Sequence, residues 1–183
     1  FSRLPIAAEE IVRLNLMAAL LTAAAAFMFF LCSRRLVAAL GQRLPGGKKA
    51  DEWLILSVSA GGTAMLAFSE TFWLQAVAVE VYSLHLLFLG AILLLLLCAR
   101  EERRSEYWYA AAFLLGLSFT NHMTTVLLLP GIFYLYFADG PRDQARWNVL
   151  AKSAGFFVLG LTPYVYLPLR AMHSPVMNWG NPS

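Results

Sequence analysis

The amino-acid sequence predicts an all-α fold, a polytopic bundle of transmembrane helices, and its composition is the first reason. Hydrophobic residues make up 60% of the 183 residues and charged residues 14%, with a mean hydropathy of +0.63. A soluble domain is usually about 45–50% apolar and about 25% charged, so lipid is the better solvent for this composition. The net charge of +3 is small and indicates no nucleic-acid partner.

The second reason is the arrangement of the apolar residues, which form six continuous clusters with nearly every Lys and Arg in the gaps between them. Only helices and closed barrels satisfy their backbone groups in hydrocarbon. Barrel strands would alternate apolar and polar residues, and these clusters do not. We therefore expect about six spans, at residues 14–32, 53–68 and 81–99, as two short helices within 107–138, and at 153–167.

The segment 107–138 is too long for one span, because about 20 residues cross the hydrocarbon. The polar sequence Thr-Asn-His-Met-Thr at 120–124 interrupts it, either as a turn between two helices or as a kink in one helix. Basic loops prefer the cytoplasmic side, and basic residues flank the segment on both sides. An even number of crossings, and hence two helices, is favoured. The flanking basic residues are Arg103, Arg104, Arg142, Arg146 and Lys152.

This topology leaves a set of polar segments on the non-cytoplasmic face: the loop 69–80, the turn at Asn121 and His122, and the tail from Arg170. The chain begins at Phe1 and ends in a polar stretch, so we interpret residues 1–183 as part of one transmembrane domain of a longer protein. A mature chain cut by processing is the alternative.

Glu80 is the first candidate functional residue, because an ionisable group among apolar residues at membrane depth is costly. The alternative is an interfacial Glu that the positive end of a helix stabilises. His85 follows five residues later, off the face of Glu80, and could instead make a helix–helix hydrogen bond. Glu70 and Gln75 are interpreted as polar loop residues.

A second group of candidates lies nearer the carboxyl end. His122 could bind a phosphate oxygen or act as an acid or base, unless Asn121 simply caps the next helix. Arg170 could hold a phosphate through two parallel hydrogen bonds, or extend to lipid headgroups. Asn178 and Trp179 suit a sugar ring, through hydrogen bonds and stacking.

The sequence shows no phosphate-binding glycine loop, no zinc-spaced His/Cys set and no nucleophile elbow. Four motifs nevertheless occur in order. They are FWLQAVAVEVY at 72–82, GLSFTNHMT at 116–124, YLPLR at 166–170 and NWGNP at 178–182. Together they resemble a bacterial multispanning family that is related to the animal transmembrane O-mannosyltransferase of plexin-type receptors.

The resemblance implies a glycosyltransferase of GT-C type in the bacterial inner membrane. Such an enzyme moves a hexose from a polyprenyl-phosphate carrier to a protein or glycan hydroxyl on the non-cytoplasmic face. The acidic motif of the family is absent from this sequence, so the main catalytic base is expected upstream of Phe1 and Glu80 is a weak candidate. The lipid-linked sugar is the donor substrate. We expect no other cofactor, and no metal, because the sequence has no carboxylate cluster.

A lipid-linked sugar phosphate needs a cation for its phosphate and polar groups for its sugar, and this requirement suggests roles for the remaining candidates. Arg170 would bind the phosphate with help from His122, and Glu80 would orient the acceptor. The other substrate-binding candidates are Asn121, Asn178, Trp179 and Tyr82. Two other functions stay open: a transporter or flippase for a lipid-linked or anionic substrate, since broken helices are also a transporter feature, and a non-catalytic membrane scaffold.

Overall fold

The computed structural model describes residues 10–42, 51–78, 80–138 and 144–172, and all regular structure in these ranges is helical. This confirms the all-α prediction. The α-helices are α1 Glu10–Gly41, α2 Glu52–Ala67, α3 Glu70–Val77, α4 Tyr82–Glu102, α5 Ser105–Asn121, α6 Leu129–Ala138, α7 Gln144–Gly160 and α8 Tyr166–Ala171. Two 3₁₀ helices, η1 Met123–Leu128 and η2 Thr162–Val165, complete the described structure.

The prediction of six spans is not supported, and helix length is the reason. Within the described residues, three helices are long and apolar enough to cross a membrane: α1, α4 and the continuous run Gln144–Ala171. A fourth crossing results only if α2 and α3, which bend by 65° at their junction, act as one broken span. Helices of this length and apolar composition are those of an integral membrane protein.

The remaining predicted spans correspond to helices that are too short. Helix α5 has 17 residues, and the apolar run Met123–Ala138 is also below the length that the hydrocarbon core requires. The predicted loop 69–80 is helical over most of its length, because Glu70–Val77 forms α3. Ser69 begins this helix from an extended conformation, and Phe72 buries its side chain.

The chain divides into two compact units, Phe1–Leu97 and Cys98–Ser183. In the first unit α1 packs against α2 and α3, and small side chains such as Ala18 and Ala25 are fully buried. Helix α4 approaches α1 at Gly90, where an added Cβ atom would lie 2.8 Å from the Cβ atom of Met28. Small residues at such crossings allow helix backbones to approach closely in membranes.

In the second unit, α5 and α7 run in the same direction and touch through Gly116 and Gly160. A Cβ atom added to Gly116 would collide with the carbonyl oxygen of Phe157, and one added to Gly160 with that of Phe113. Ring pairs flank this contact on both sides. They are Tyr109 with Phe156 at 5.4 Å and Phe119 with Phe157 at 5.6 Å between centroids.

Between α5 and α7 the chain doubles back. The rings of Trp108, near the start of α5, and Tyr136, near the end of α6, meet edge to face with centroids 4.8 Å apart. Two residues so far apart in sequence meet only if the chain reverses between them. The prediction of two helices joined by a polar turn is therefore confirmed against the single kinked helix.

Candidate functional site

A cavity of about 320 Å³ lies in the first unit, where α2, α3 and α4 meet. We call it the corner cavity. Its wall is mostly apolar, and Phe72 is the buried residue at its base. The polar residues that line it are Ser69, Thr71, Gln75, Tyr82 and His85. A mostly apolar cavity with a few polar groups is the usual form of a small-molecule site.

Gln75 and His85 lie in this wall because the chain turns between α3 and α4, which brings the end of one helix beside the start of the next. The side-chain oxygen of Gln75 is buried and has no hydrogen-bond partner among the described residues. Leaving a buried acceptor unsatisfied costs roughly 1–3 kcal/mol, so such an atom is a natural contact for a ligand.

Tyr82 is the first residue of α4, lines the corner cavity and is 40% exposed. Glu80 precedes it in the turn between the helices and is exposed. Its backbone carbonyl accepts a hydrogen bond from the hydroxyl of Ser83, at 3.3 Å. The structure therefore places Glu80 next to α4 in the chain but not among the residues that line the cavity.

The turn between α5 and η1, which we call the polar break, holds the second group of candidates. Helix α5 ends at Asn121, and His122 adopts an extended conformation. The Nδ1 atom of His122 accepts a hydrogen bond from the backbone N–H of Thr124 at 3.3 Å and lies 2.7 Å from the hydroxyl oxygen of the same residue. A helix cap is present at this turn, as one interpretation of the sequence expected, but the capping residue is His122 and not Asn121.

This cap indicates which tautomer a neutral His122 ring adopts. Because Nδ1 accepts from a backbone N–H, the hydrogen of a neutral imidazole is on Nε2. A buried hydrogen bond between the hydroxyls of Ser118 and Thr125, at 2.7 Å, lies behind the cap. The Thr125 hydroxyl is also 2.9 Å from the carbonyl oxygen of His122. The polar break is therefore tied together by its own side chains.

Arg170 is exposed on α8, which directly continues η2. The hydroxyl of Tyr164 in η2 donates to the carbonyl oxygen of Phe119 at 2.9 Å and thereby attaches this segment to the end of α5. The structure thus brings the helix that carries Arg170 to the same end of the second unit as Asn121 and His122.

Two predicted residues, Asn178 and Trp179, lie outside the described residues. Sequence reasoning assigned Gln75 to a loop and gave His85 no partner, and so missed the corner cavity. The available signal was a polar residue on each side of Glu80 and Tyr82 in the sequence, Gln75 before them and His85 after them. In the part of the chain that the structure describes, no three His, Cys, Asp or Glu residues are grouped to hold a metal ion.

Comparison with known proteins gives one family. Residues 1–145 match the family described as the Protein O-mannosyl-transferase TMEM260 N-terminal domain. The Protein O-mannosyl-transferase tmem260 of Dictyostelium discoideum is 29% identical over 136 residues, which cover 65% of this chain and 16% of that protein. The Mus musculus protein of the same name is 30% identical over 131 residues, covering 67% of this chain and 19% of that protein.

This chain thus spans less than a fifth of the length of either relative. No solved structure matches it. The relationship to the animal O-mannosyltransferase that the four motifs predicted is confirmed at the level of the family. Because the match extends over well more than half of the sequence, the chain belongs to the family of the TMEM260 protein O-mannosyl-transferase N-terminal domain.

Proposed function

We propose that this chain is part of a GT-C type glycosyltransferase that moves mannose from a polyprenyl-phosphate carrier to a hydroxyl group of a protein or glycan on the non-cytoplasmic face. The observation that carries the proposal is the family match over residues 1–145, since the relatives are named as protein O-mannosyl-transferases. A lipid-linked donor is consistent with apolar helices long enough to cross a membrane.

The corner cavity is proposed to bind the acceptor, whose hydroxyl group takes the sugar. Its volume of about 320 Å³ is at the small end for ligand sites, which run from about 300 to 1,000 Å³. Gln75 and His85 would hydrogen-bond hydroxyl groups of the acceptor there, and the buried oxygen of Gln75 would gain a partner. Tyr82 offers a ring for stacking and a phenol for a further hydrogen bond.

The transfer breaks the bond between the anomeric carbon and the phosphate oxygen and forms a bond to the acceptor oxygen. The polyprenyl phosphate leaves, and a base takes the proton of the acceptor hydroxyl. Glu80, exposed two residues before Tyr82, is proposed to orient the acceptor. The main base remains a prediction for a part of the protein upstream of Phe1.

For the donor phosphate we propose Arg170, whose planar guanidinium can give two parallel hydrogen bonds to phosphate oxygens. His122 would assist through Nε2, because Nδ1 is already used in the cap. Asn121 lies beside it at the end of α5, and Asn178 and Trp179 are kept as sequence-based candidates for sugar contacts. All of these roles can be tested one residue at a time.

The test is a transfer assay on membranes that contain the full-length protein, supplied with polyprenyl-phosphate [³H]mannose and an acceptor. We expect alkali-labile mannose on protein. Tyr82→Phe and His85→Ala should each lower kcat/KM by about three- to tenfold, the effect of losing one hydrogen bond. Tyr134→Phe, at a residue 72% exposed on α6, is the matched control and should change nothing.

Two results would count against the proposal. Absence of transfer by the unmodified protein would reject the enzyme itself. Full activity in each of the three variants Tyr82→Phe, His85→Ala and Gln75→Ala would exclude the corner cavity from the reaction. The proposal that the protein is a glycosyltransferase would not be affected.

Arg170 has its own prediction. Arg170→Ala should raise KM for the lipid-linked donor more than Arg170→Lys does, because Lys keeps the charge but loses the two-pronged geometry. Donor titrations of both variants measure this difference. Equal and full activity in both would exclude Arg170 from phosphate binding.

A transporter or flippase of lipid-linked or anionic substrates is the second candidate, and the bend of 65° between α2 and α3 favours it. Broken helices often form substrate sites in transporters. Movement of polyprenyl-phosphate mannose across a vesicle membrane, with no mannose transferred to any acceptor, would select this function over the enzyme.

A further inference from the structure

A second cavity, of about 240 Å³, lies in the second unit at the end opposite the polar break. We call it the basic cavity, because four of the side chains that line it are arginines: Arg100, Arg103, Arg104 and Arg146. No acidic side chain is among its lining residues. The proposed glycosyl transfer uses none of these residues.

The four arginines come from three places in the fold. Arg100 belongs to the last turn of α4, Arg103 and Arg104 to the connection into α5, and Arg146 to the first turn of α7. The return of the chain through α6 brings Arg146 to the others, since Tyr136 donates to its backbone oxygen at 2.6 Å. The guanidinium of Arg146 also lies over the ring of Tyr136, 5.5 Å from its centroid.

The backbone adds to this positive charge. The cap residue of α5, Arg104, makes no side-chain hydrogen bond to the first turn. The first amide groups of a helix have no partner within the helix and carry partial positive charge, which favours anions there. Because the first residue of α5, Ser105, lines the cavity, these amides lie beside the arginines.

Arg103 is held in an unusual conformation, with φ of 53°. This left-handed region costs a residue with a Cβ atom about 1–2 kcal/mol and is normally left to Gly or Asn. A glycine would relieve the cost but would remove a guanidinium from the cavity wall.

Two nearby carboxylates make contacts of their own. Glu102 accepts a hydrogen bond from the phenol of Tyr107 at 2.8 Å. Glu106 lies 3.5 Å from the Nε atom of Arg104, in an exposed pair that an incoming anion can displace.

The position of the cavity points to the chemistry of the ligand. It lies where one candidate span, α4, ends and another, Gln144–Ala171, begins, which is the level of lipid headgroups. Trp108 and Tyr136 line it as well, and such rings concentrate at the membrane interface. Basic pockets between helices on the cytoplasmic side bind phosphate-containing headgroups.

We propose that the basic cavity binds the phosphate group of a phosphate ester, with an anionic phospholipid as the ligand that its position favours. Arginine forks suit phosphate oxygens better than single charges do. The site is distinct from the donor site proposed above, which uses Arg170 at the other end of the unit.

The test is the thermal unfolding of the full-length protein in detergent, titrated with short-chain phosphatidylglycerol, with short-chain phosphatidylcholine, and with glycerol 3-phosphate. Arg146→Gln and Arg103→Asn should each weaken phosphatidylglycerol binding about fivefold, and the double variant about 25-fold, at roughly 1 kcal/mol per basic residue. Asn is chosen because it tolerates the left-handed conformation.

Lys152→Gln is the matched control: it removes one positive charge from the exposed face of α7, outside the cavity, and should change the Kd less than twofold. Arg146→Lys should recover only part of the affinity, because Lys keeps the charge but loses the fork. The unfolding midpoint without ligand shows whether each variant folds.

Arginine-dependent binding of phosphatidylglycerol alone identifies the ligand as a lipid, and equal arginine-dependent binding of glycerol 3-phosphate identifies a soluble phosphate ester. Affinities that stay within twofold in the double variant would overturn the proposal. So would phosphatidylcholine binding as tight as that of phosphatidylglycerol.

Discussion

The two ends of α5 differ in how their polar side chains are arranged. At the polar break, the side chains of Ser118, His122 and Thr125 bond to one another and to nearby backbone. At the basic cavity, four arginines meet with no acid among the lining residues. A rise of 1.5 Å per residue over 17 residues separates the two ends by about 25 Å. The polar groups of the first end hold a turn, and the arginines of the second end line a cavity.

The contact between Gly116 and Gly160 lies along α5 between these two ends, and breaking it should have the largest effect. Gly116→Ala places a Cβ atom against the backbone of Phe157 and Gly160, which cannot move without separating the helices. Overpacking of this kind costs about 1–3 kcal/mol. We expect a lower unfolding midpoint and weaker ligand binding at the basic cavity, measured in detergent.

The control for this variant is Gly155→Ala, on α7, where an added Cβ atom meets nothing within 4 Å. Removing a helical glycine there should stabilise the protein by about 0.5–1 kcal/mol. Equal midpoints for the two variants would show that α5 and α7 are not packed through Gly116.

Thr125→Val tests the polar break alone. It leaves the buried hydroxyl of Ser118 without its partner, which should cost about 1–3 kcal/mol, whereas removing both hydroxyls is close to neutral. Unfolding midpoints of Thr125→Val and of Ser118→Ala with Thr125→Val measure the difference. A double variant no more stable than the single one would mean that the two hydroxyls do not form a pair.

The smallest expected effects come from two tyrosines, one at each end. Tyr136→Phe removes a hydrogen bond to Arg146 from a buried residue and should cost about 1 kcal/mol. Tyr164→Phe removes one to Phe119 from an exposed residue and should cost less, because water replaces the partner. Unfolding midpoints compare them, and the reverse order would contradict the burial of Tyr136.

The reversal at 120–124 could be predicted from sequence, because flanking charges and a polar interruption are both local features. The number of spans could not, since apolar content does not tell where a helix breaks. Helices α2 and α5 lie where spans were expected, but with 16 and 17 residues they are shorter than the roughly 20 residues that cross the hydrocarbon. The abundance of apolar residues therefore led to an overestimate of the number of membrane spans.

The two cavities could not be predicted for another reason. Three arginines of the basic cavity are close in sequence, but Arg146 joins them only through the return of α6. Gln75 and His85 likewise meet only through the turn before α4. Both sites depend on contacts between elements. Glu80, Arg170 and His122 were predicted one at a time, because each is a polar residue in an apolar sequence context.

The burial of the two cysteines makes this segment suited to chemical mapping. Cys32 is 6% exposed and Cys98 7% exposed, and residues 1–183 contain no other cysteine. A maleimide that cannot cross membranes should therefore leave both native thiols unmodified. Cysteines introduced as Arg103→Cys and Arg170→Cys would then report, in intact cells, which end of the second unit faces outward. Labelling of the second variant alone would place the polar break outside and the basic cavity within.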